Sequence, residues 1–226
     1  MKILFVGPYK QTDGWGNAAK EYLRALRHTG YNIASRPVYL NSQPKWDKVT
    51  EFDDLEKANF DSYDVIIQNC LPNMFKRYGG VKNIGLSFFE STIDSTDWPL
   101  HINLMDEMWV ASSFEQRTIR PSVRTPLIVV PIPCDTTKYE KDYTYSKLDR
   151  HKHEFKFYFI GEIISRKNIE SLLLAFHREF HKSEPVSLVL KVNKVGMDEF
   201  SLLNYITDTV NNIKKSLGLY PSLDMY

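Results

Sequence analysis

The stretch FKFYFIGEIISRKNIESLLLAFHREFHKSEPVSLVLKVN, residues 155–193, reads as strand, tight turn, helix, strand. Phe155 to Ile160 is a short apolar run rich in aromatics, with Gly161 after it. That composition predicts a strand buried on both faces, as in a parallel sheet, and ended by the glycine. From Asn168 the period changes. Ile169, Leu172, Leu173, Phe176 and Phe180 share one helical face. Pro185 follows, and Val186 to Val192 is a second β-branched run. Strand, helix and strand in about 40 residues make a βαβ unit, for which a right-handed crossover is expected.

Arg166 and Lys167 stand where this helix begins. A helix N-terminus presents unpaired N–H groups and about half a positive charge. With two cationic side chains added, the turn suits an anion, most naturally phosphate. The plain alternative is two solvated basic residues on a surface turn.

The same residues resemble the start of the nucleotide-sugar domain of GT-B glycosyltransferases, specifically the large retaining family 4. The family pattern is an apolar strand, then G-R, a short loop, then K-G opening a helix that ends in an A-F pair. Gly161, Lys167 and Ala175-Phe176 occupy matching places. Glu162 stands where the family has arginine, and Asn168 replaces its glycine. The resemblance implies that Lys167 touches a donor diphosphate, with Arg166 reaching in from the other end of the loop in place of the missing arginine.

The 226 residues are 42% hydrophobic and 25% charged, a globular composition sufficient for one large domain or one and a half smaller ones. Lys and Arg total 29 against 28 Asp and Glu, and a net charge of +1 argues against a nucleic-acid binder held by bulk charge. Two cysteines, Cys70 and Cys134, fall short of a disulfide framework or a metal site and suit reduced cytoplasmic thiols. Met1 to Val6 is too short for a signal peptide, and no stretch reaches transmembrane length.

Lys2 to Val6 predicts a first buried strand, broken by Gly7-Pro8. A glycine loop at Gly14-Trp15-Gly16 follows, and Asn17 is expected to cap a helix carrying Ala18, Ala19, Tyr22, Leu23 and Leu26, with Gly30 as its left-handed stop. Further strands are expected over 31–40, 64–70, 84–89, 109–112 and 127–132. A polar segment with Pro44 and Trp46, then a short helix around 55–58, separates the second and third. Ser112 and Glu115 fit a capping box. Residues 136–154 are charged, tyrosine-rich and aperiodic, which suits a linker. After Asn193 a helix carries Leu203, Ile206, Val210, Ile213 and Leu217, then Gly218 and Pro221.

Gly14-x-Gly16 lacks the full dinucleotide spacing. It resembles the glycine loop of the GT-B acceptor domain, which implies that Gly14 and Gly16 let a donor phosphate approach the backbone. A flexible surface turn is the alternative. Phe89-Glu90-Ser91, Trp98-Pro99 and the run Glu107 to Ser112 match a branch of the family with an F-E-T-like sequence, W-P and E-x-W-V-x-S. Glu90, expected at the carboxyl end of a parallel strand, is the first acidic candidate. His101, after Trp98-Pro99, is the second catalytic candidate. A loop hydrogen bond for Glu90 and a structural role for His101 are the alternatives.

The expected fold is α/β and GT-B-like. A Rossmann-like acceptor-side domain spans 1–135, a linker 136–154, and a partial nucleotide-sugar domain 155–226. The family's second domain would continue for roughly another hundred residues and hold an E-x7-E acidic pair. The resemblance implies transfer of a sugar from a nucleotide-diphosphate sugar to a glycan, lipid or small-molecule acceptor, with retention and with no cofactor or metal. A cytoplasmic protein is expected, with peripheral membrane contact left open. A truncated non-catalytic relative that binds sugar phosphate or serves as a partner subunit, and an unrelated α/β nucleotide-binding domain, are the competing readings.

Overall fold

The computed structural model describes residues 1–40, 49–94, 96–144 and 154–219. Pro44, Trp46, Pro221 and the middle of the expected linker, residues 145–153, lie outside the described residues. The chain divides into two compact units, Met1–Lys141 and Asp142–Tyr226.

The first unit is built on β1 (Lys2–Gly7), β2 (Asn32–Pro37), β3 (Val65–Asn69), β4 (Lys82–Leu86), β5 (Glu107–Val110) and β6 (Leu127–Val129). They form one sheet in the order β2-β1-β3-β4-β5-β6, with every pair parallel. This is a Rossmann-like α/β arrangement. Parallel neighbours need crossovers, and the crossovers cover the sheet. The helices are α1 (Gly14–Arg27), α2 (Asp53–Lys57), α3 (Trp98–Ile102) and α4 (Ser113–Ile119).

The register separates the two sheet faces. Ile3, Ile33 and Val65 lie side by side, as do Phe5 with Ile67 and Ile67 with Ile84. This face packs against Ala19, Tyr22 and Leu23 of α1. The opposite face presents Met108, Val110 and Leu127, and these pack with Ile102 of α3 and Ile119 of α4. Central β3 is buried at every residue, as its run of Val and Ile predicts.

Several expected boundaries move. The fifth strand starts at Glu107, because Ile84 pairs with Glu107 and Leu127 with Met108, and it stops at Val110 because Ser112 is committed to capping α4. The sixth ends at Val129, just before Pro131 and Pro133, which bring no N–H to a ladder. The cap of α1 is Asp13, not Asn17: the Asp13 carboxylate accepts from the Gly16 N–H at 2.9 Å. The side-chain amide of Gln11 donates to Asp13 at 2.9 Å and orients it. Gly14 and Gly16 therefore form the first turn of α1 rather than a flexible loop. Gly30 has φ +73°, the left-handed conformation expected of it.

Residues Thr136–Tyr139 form a 3₁₀ turn capped by Asp135. Glu21 of α1 accepts from the Asp135 N–H and from Lys138 Nζ, both at 3.4 Å, which holds this turn on the first unit.

The second unit contains β7 (Phe155–Glu162), α5 (Ile169–Glu179), β8 (Val186–Asn193) and α6 (Glu199–Ser216). β7 and β8 form a two-stranded parallel sheet. Ile163, Ile169, Leu173, Ile206 and Val210 form its core, with Phe159, Leu188, Leu190 and Val192 packed on them. Two expectations fail here. Gly161 does not end β7, which continues to Glu162 opposite Asn193. Nor is β7 buried on both faces: both helices pack on the face of Phe159, and Tyr158 and Ile160 on the other face are 75% and 65% exposed. In α6, Leu203 is exposed, and Leu202 packs on the core in its place.

Candidate functional site

In an open parallel sheet, ligands bind beyond the carboxyl ends of the strands, where successive crossovers diverge. Here β1 leads to β2 on one side and β2 leads to β3 on the other, so the divergence falls between β1 and β3. The N-terminus of α1 follows β1. Gln11 fixes its approach: a Cβ on Gly16 would lie 2.1 Å from the Gln11 carbonyl oxygen, so only glycine fits. Gly14 has open space around its Cα. Trp15, between them, meets Phe88 edge to face at 4.6 Å, which ties the first turn of α1 to the segment after β4.

Glu90 lies on that segment, exposed in a bend beyond the end of β4. Behind it, Glu115 of α4 is buried. Its carboxylate accepts from the Ala111 N–H at 2.6 Å, and its own N–H donates to Ser112 Oγ at 3.2 Å. The expected capping box thus forms, with the carboxylate reaching the Ser112 backbone and also Ala111. Burial raises the Glu115 carboxyl above its ordinary value, against the lowering effect of backbone hydrogen bonds from Ala111, Phe89 and Ser112. Through Phe89, Glu115 fixes the residue before Glu90. The sequence marks Glu115 only as a cap partner and carries no signal of this role.

His101 sits on α3 with Nε2 3.5 Å from Asp97 Oδ2. The N-terminus of α3 is anchored by Trp98, whose ring contacts Phe89 at 6.0 Å. The structure thus ties the Glu90 segment to the α3 helix through Phe89 and Trp98.

A depression of about 590 Å³ runs along α1, lined by Gly14, Asn17, Lys20, Arg24, Ile132 and Lys138, with Glu21 among them. Arg24 grips Glu51 through two 2.7 Å bonds and Glu21 through a third at 2.9 Å. Asn17, Lys20 and Arg24 repeat at helical spacing, a signal the sequence carries. Lys138, distant along the chain, carries no such signal.

The second unit holds the other candidates. Ser165–Lys167 is a 3₁₀ turn, and Asn168 then takes φ +50°, ψ +47° as the N-terminal residue of α5. The Asn168 side chain makes no capping hydrogen bond to this helix. Arg166 and Lys167 are exposed beside its N-terminus, whose partial positive charge the two cations reinforce. Asn168 is left-handed at the place where the resembling pattern has glycine. Asparagine is among the few non-glycine residues that adopt this conformation readily. β7 ends at Glu162, just before the turn.

Cys70 and Cys134 are both free. Burial pushes the Cys70 thiol up to about 12, far from a reactive thiolate at neutral pH. Among the described residues, no group of three or more His, Cys, Asp or Glu could hold a metal ion, and no helix is long and apolar enough to cross a membrane. No family model and no curated protein matches this chain.

Proposed function

We propose that the protein is a GT-B-type glycosyltransferase, or the front portion of one, that moves a sugar from a nucleotide-diphosphate donor to an acceptor. The observation that carries this reading is the turn at 165–168. A basic pair on a 3₁₀ turn leads through left-handed Asn168 into a helix to which the Asn168 side chain makes no capping hydrogen bond. An oxyanion leaving group is stabilised by fixed donors and cations aimed at it, and a diphosphate is such a group. On this reading Arg166, Lys167 and the α5 amides hold the donor diphosphate. Gly161 keeps the strand end close to it, and no metal or cofactor is required. The glycine-bearing first turn of α1, with Gly14 and Gly16, is assigned to the phosphate approach in the first unit. Glu90 and His101 are its acid–base candidates. The acceptor is a glycan, a lipid or a small molecule, the sugar is transferred with retention, and the setting is the cytoplasm.

A non-catalytic relative is the second reading, favoured by Glu162, a carboxylate at the strand end where the resembling family has arginine. Turnover measured with a panel of nucleotide-diphosphate sugars tests the proposal, alongside calorimetry with the free nucleoside diphosphates. Release of nucleoside diphosphate with sugar transfer supports the enzyme. Diphosphate binding without turnover supports the relative, and absence of binding overturns both.

A further inference from the structure

We infer that Glu115 is a proton-controlled latch on the segment 88–92: its ionised carboxylate holds Phe89, and a proton on it lets the segment go. The carboxylate is buried and accepts from three backbone N–H groups, those of Ala111, Ser112 and Phe89. Ala111 and Ser112 precede Glu115 by four and three residues, so the start of α4 keeps them at hand. Phe89 comes from a distant segment that leaves the sheet after Leu86. Glu90, Ser91 and Thr92 are exposed, and among the described residues the buried Ser87 hydroxyl has no partner. The backbone of this segment is anchored at the Phe89 N–H. Its neighbours give the latch its reach. Phe88 meets Trp15 in the first turn of α1, and Phe89 meets Trp98 at the start of α3, the helix that carries His101. Glu115 is thus a positioning residue for Glu90 and His101. Its effect on turnover rests on the sugar transfer proposed above, whereas the latch itself does not.

An ionised carboxylate only accepts, which matches three N–H donors around it. A proton turns one oxygen into a donor that faces donors. The bond from Phe89 N–H favours the ionised carboxyl, so by reciprocity a bound proton weakens the hold on Phe89. Glu115 stays buried on α4 whether or not it holds Phe89, and burial raises its carboxyl above the ordinary value. As pH falls, release therefore begins before an exposed glutamate would titrate. Tyr22 of α1 faces Glu115, and its phenol, pushed up to about 12 by burial and by that charge, stays neutral throughout. Glu90, beyond Phe89, and Arg117, on α4 itself, are exposed. Glu107, at the start of β5, is paired with Lys82 at 2.7 Å.

Nuclear magnetic resonance on the 226-residue protein between about pH 4 and pH 8 tests this. The Glu115 carboxyl carbon and the Phe89 amide proton are expected to titrate with one midpoint. Protection of the Phe89 amide, corrected for intrinsic exchange, is expected to fall on the order of tenfold through that midpoint. The amides of Ile66 and Ile67 in β3 are expected to keep theirs. Glu115→Gln cannot ionise and is expected to show the weakly protected Phe89 amide at every pH. Different midpoints, a Phe89 amide whose protection ignores pH, or wild-type Phe89 protection in Glu115→Gln at neutral pH would each overturn the latch. The first two readouts use the wild type alone, so they stand even where the variant fails to fold. None of them needs a donor or an acceptor. Turnover without the shared midpoint overturns the latch alone, and the shared midpoint without turnover leaves the latch standing and removes the transferase.

Discussion

Tyr22 Oη donates to the Val130 carbonyl at 2.8 Å and so joins the middle of α1 to the chain just beyond β6. Tyr22 is buried, and burial together with the Glu115 charge raises its phenol to about 12, so it remains a donor through the neutral range. Replacing Tyr22 by Phe keeps the ring and leaves the carbonyl without this partner. The expected cost is about 1 kcal/mol. Urea unfolding of the Tyr22→Phe protein checks it, and an unchanged midpoint with unchanged slope would remove the bond from the account.

The two glycines of the first turn of α1 should respond in opposite ways. Gly16→Ala drives a methyl into the Gln11 carbonyl and is expected to cost on the order of 2 kcal/mol. Gly14→Ala meets open space, and alanine's helix preference makes it neutral to stabilising by up to about 1 kcal/mol. Thermal melts of both variants compare the two directly. Similar behaviour in both would mean that the Gln11–Gly16 approach is looser than it stands here.

Asn168 in the left-handed region makes a local prediction for the second unit. Asn168→Ala is expected to destabilise that unit by about 1 kcal/mol, whereas Asn168→Gly costs nothing from backbone strain. Hydrogen exchange at the amides of α5 reads the difference locally. Equal protection in the alanine and glycine variants contradicts it.

Under the proposed function, Lys167→Ala should weaken nucleoside-diphosphate binding by about 1.5 to 3 kcal/mol, the usual worth of a hydrogen bond to a charged group. Arg166→Ala should do nearly as much. Calorimetry with the wild type and both variants measures this. Equal affinities in all three would remove the basic turn from the donor site.

Asp106 accepts from the Asn83 N–H at 2.7 Å and pairs with Arg77 at 2.8 Å. The Asn83 backbone bond, aided by Arg77 and opposed by burial, holds its carboxyl below the ordinary value. A depressed carboxyl stabilises the fold above the unfolded value, about pH 4, and loses that contribution as pH falls through the folded value. Asp106→Asn is therefore expected to be less stable than wild type at neutral pH, with the gap closing in acid. Denaturation midpoints across pH 2 to 7 test the sign, and a gap that widens in acid would reverse it.

Much of the first sheet is legible in the chain itself. The Val and Ile run at 65–67 implies burial on both faces, which β3 shows. Ser112 three residues before Glu115 implies a helix start, and the hydroxyl accepts the Glu115 N–H. Gly30 implies a left-handed residue, and it has φ +73°. These signals are local, because each rests on atoms a few bonds apart whose allowed conformations the residue type restricts.

The remaining features were decided by contacts between distant parts of the chain. Asp13 and Asn17 are both competent caps, and the Gln11 backbone and side chain selected Asp13. Residues 136–139 have the composition of a linker, yet Glu21 holds them on the first unit. The apolar letters of β7 imply burial on both faces, and alternation correctly sorts its residues between the two. Which face α5 and α6 would cover is not written in that alternation. A strand's pattern states what it can bury, and only the elements that the topology brings against it determine what it does bury. For this reason Phe159 packs in a core while Tyr158, one residue earlier, faces solvent.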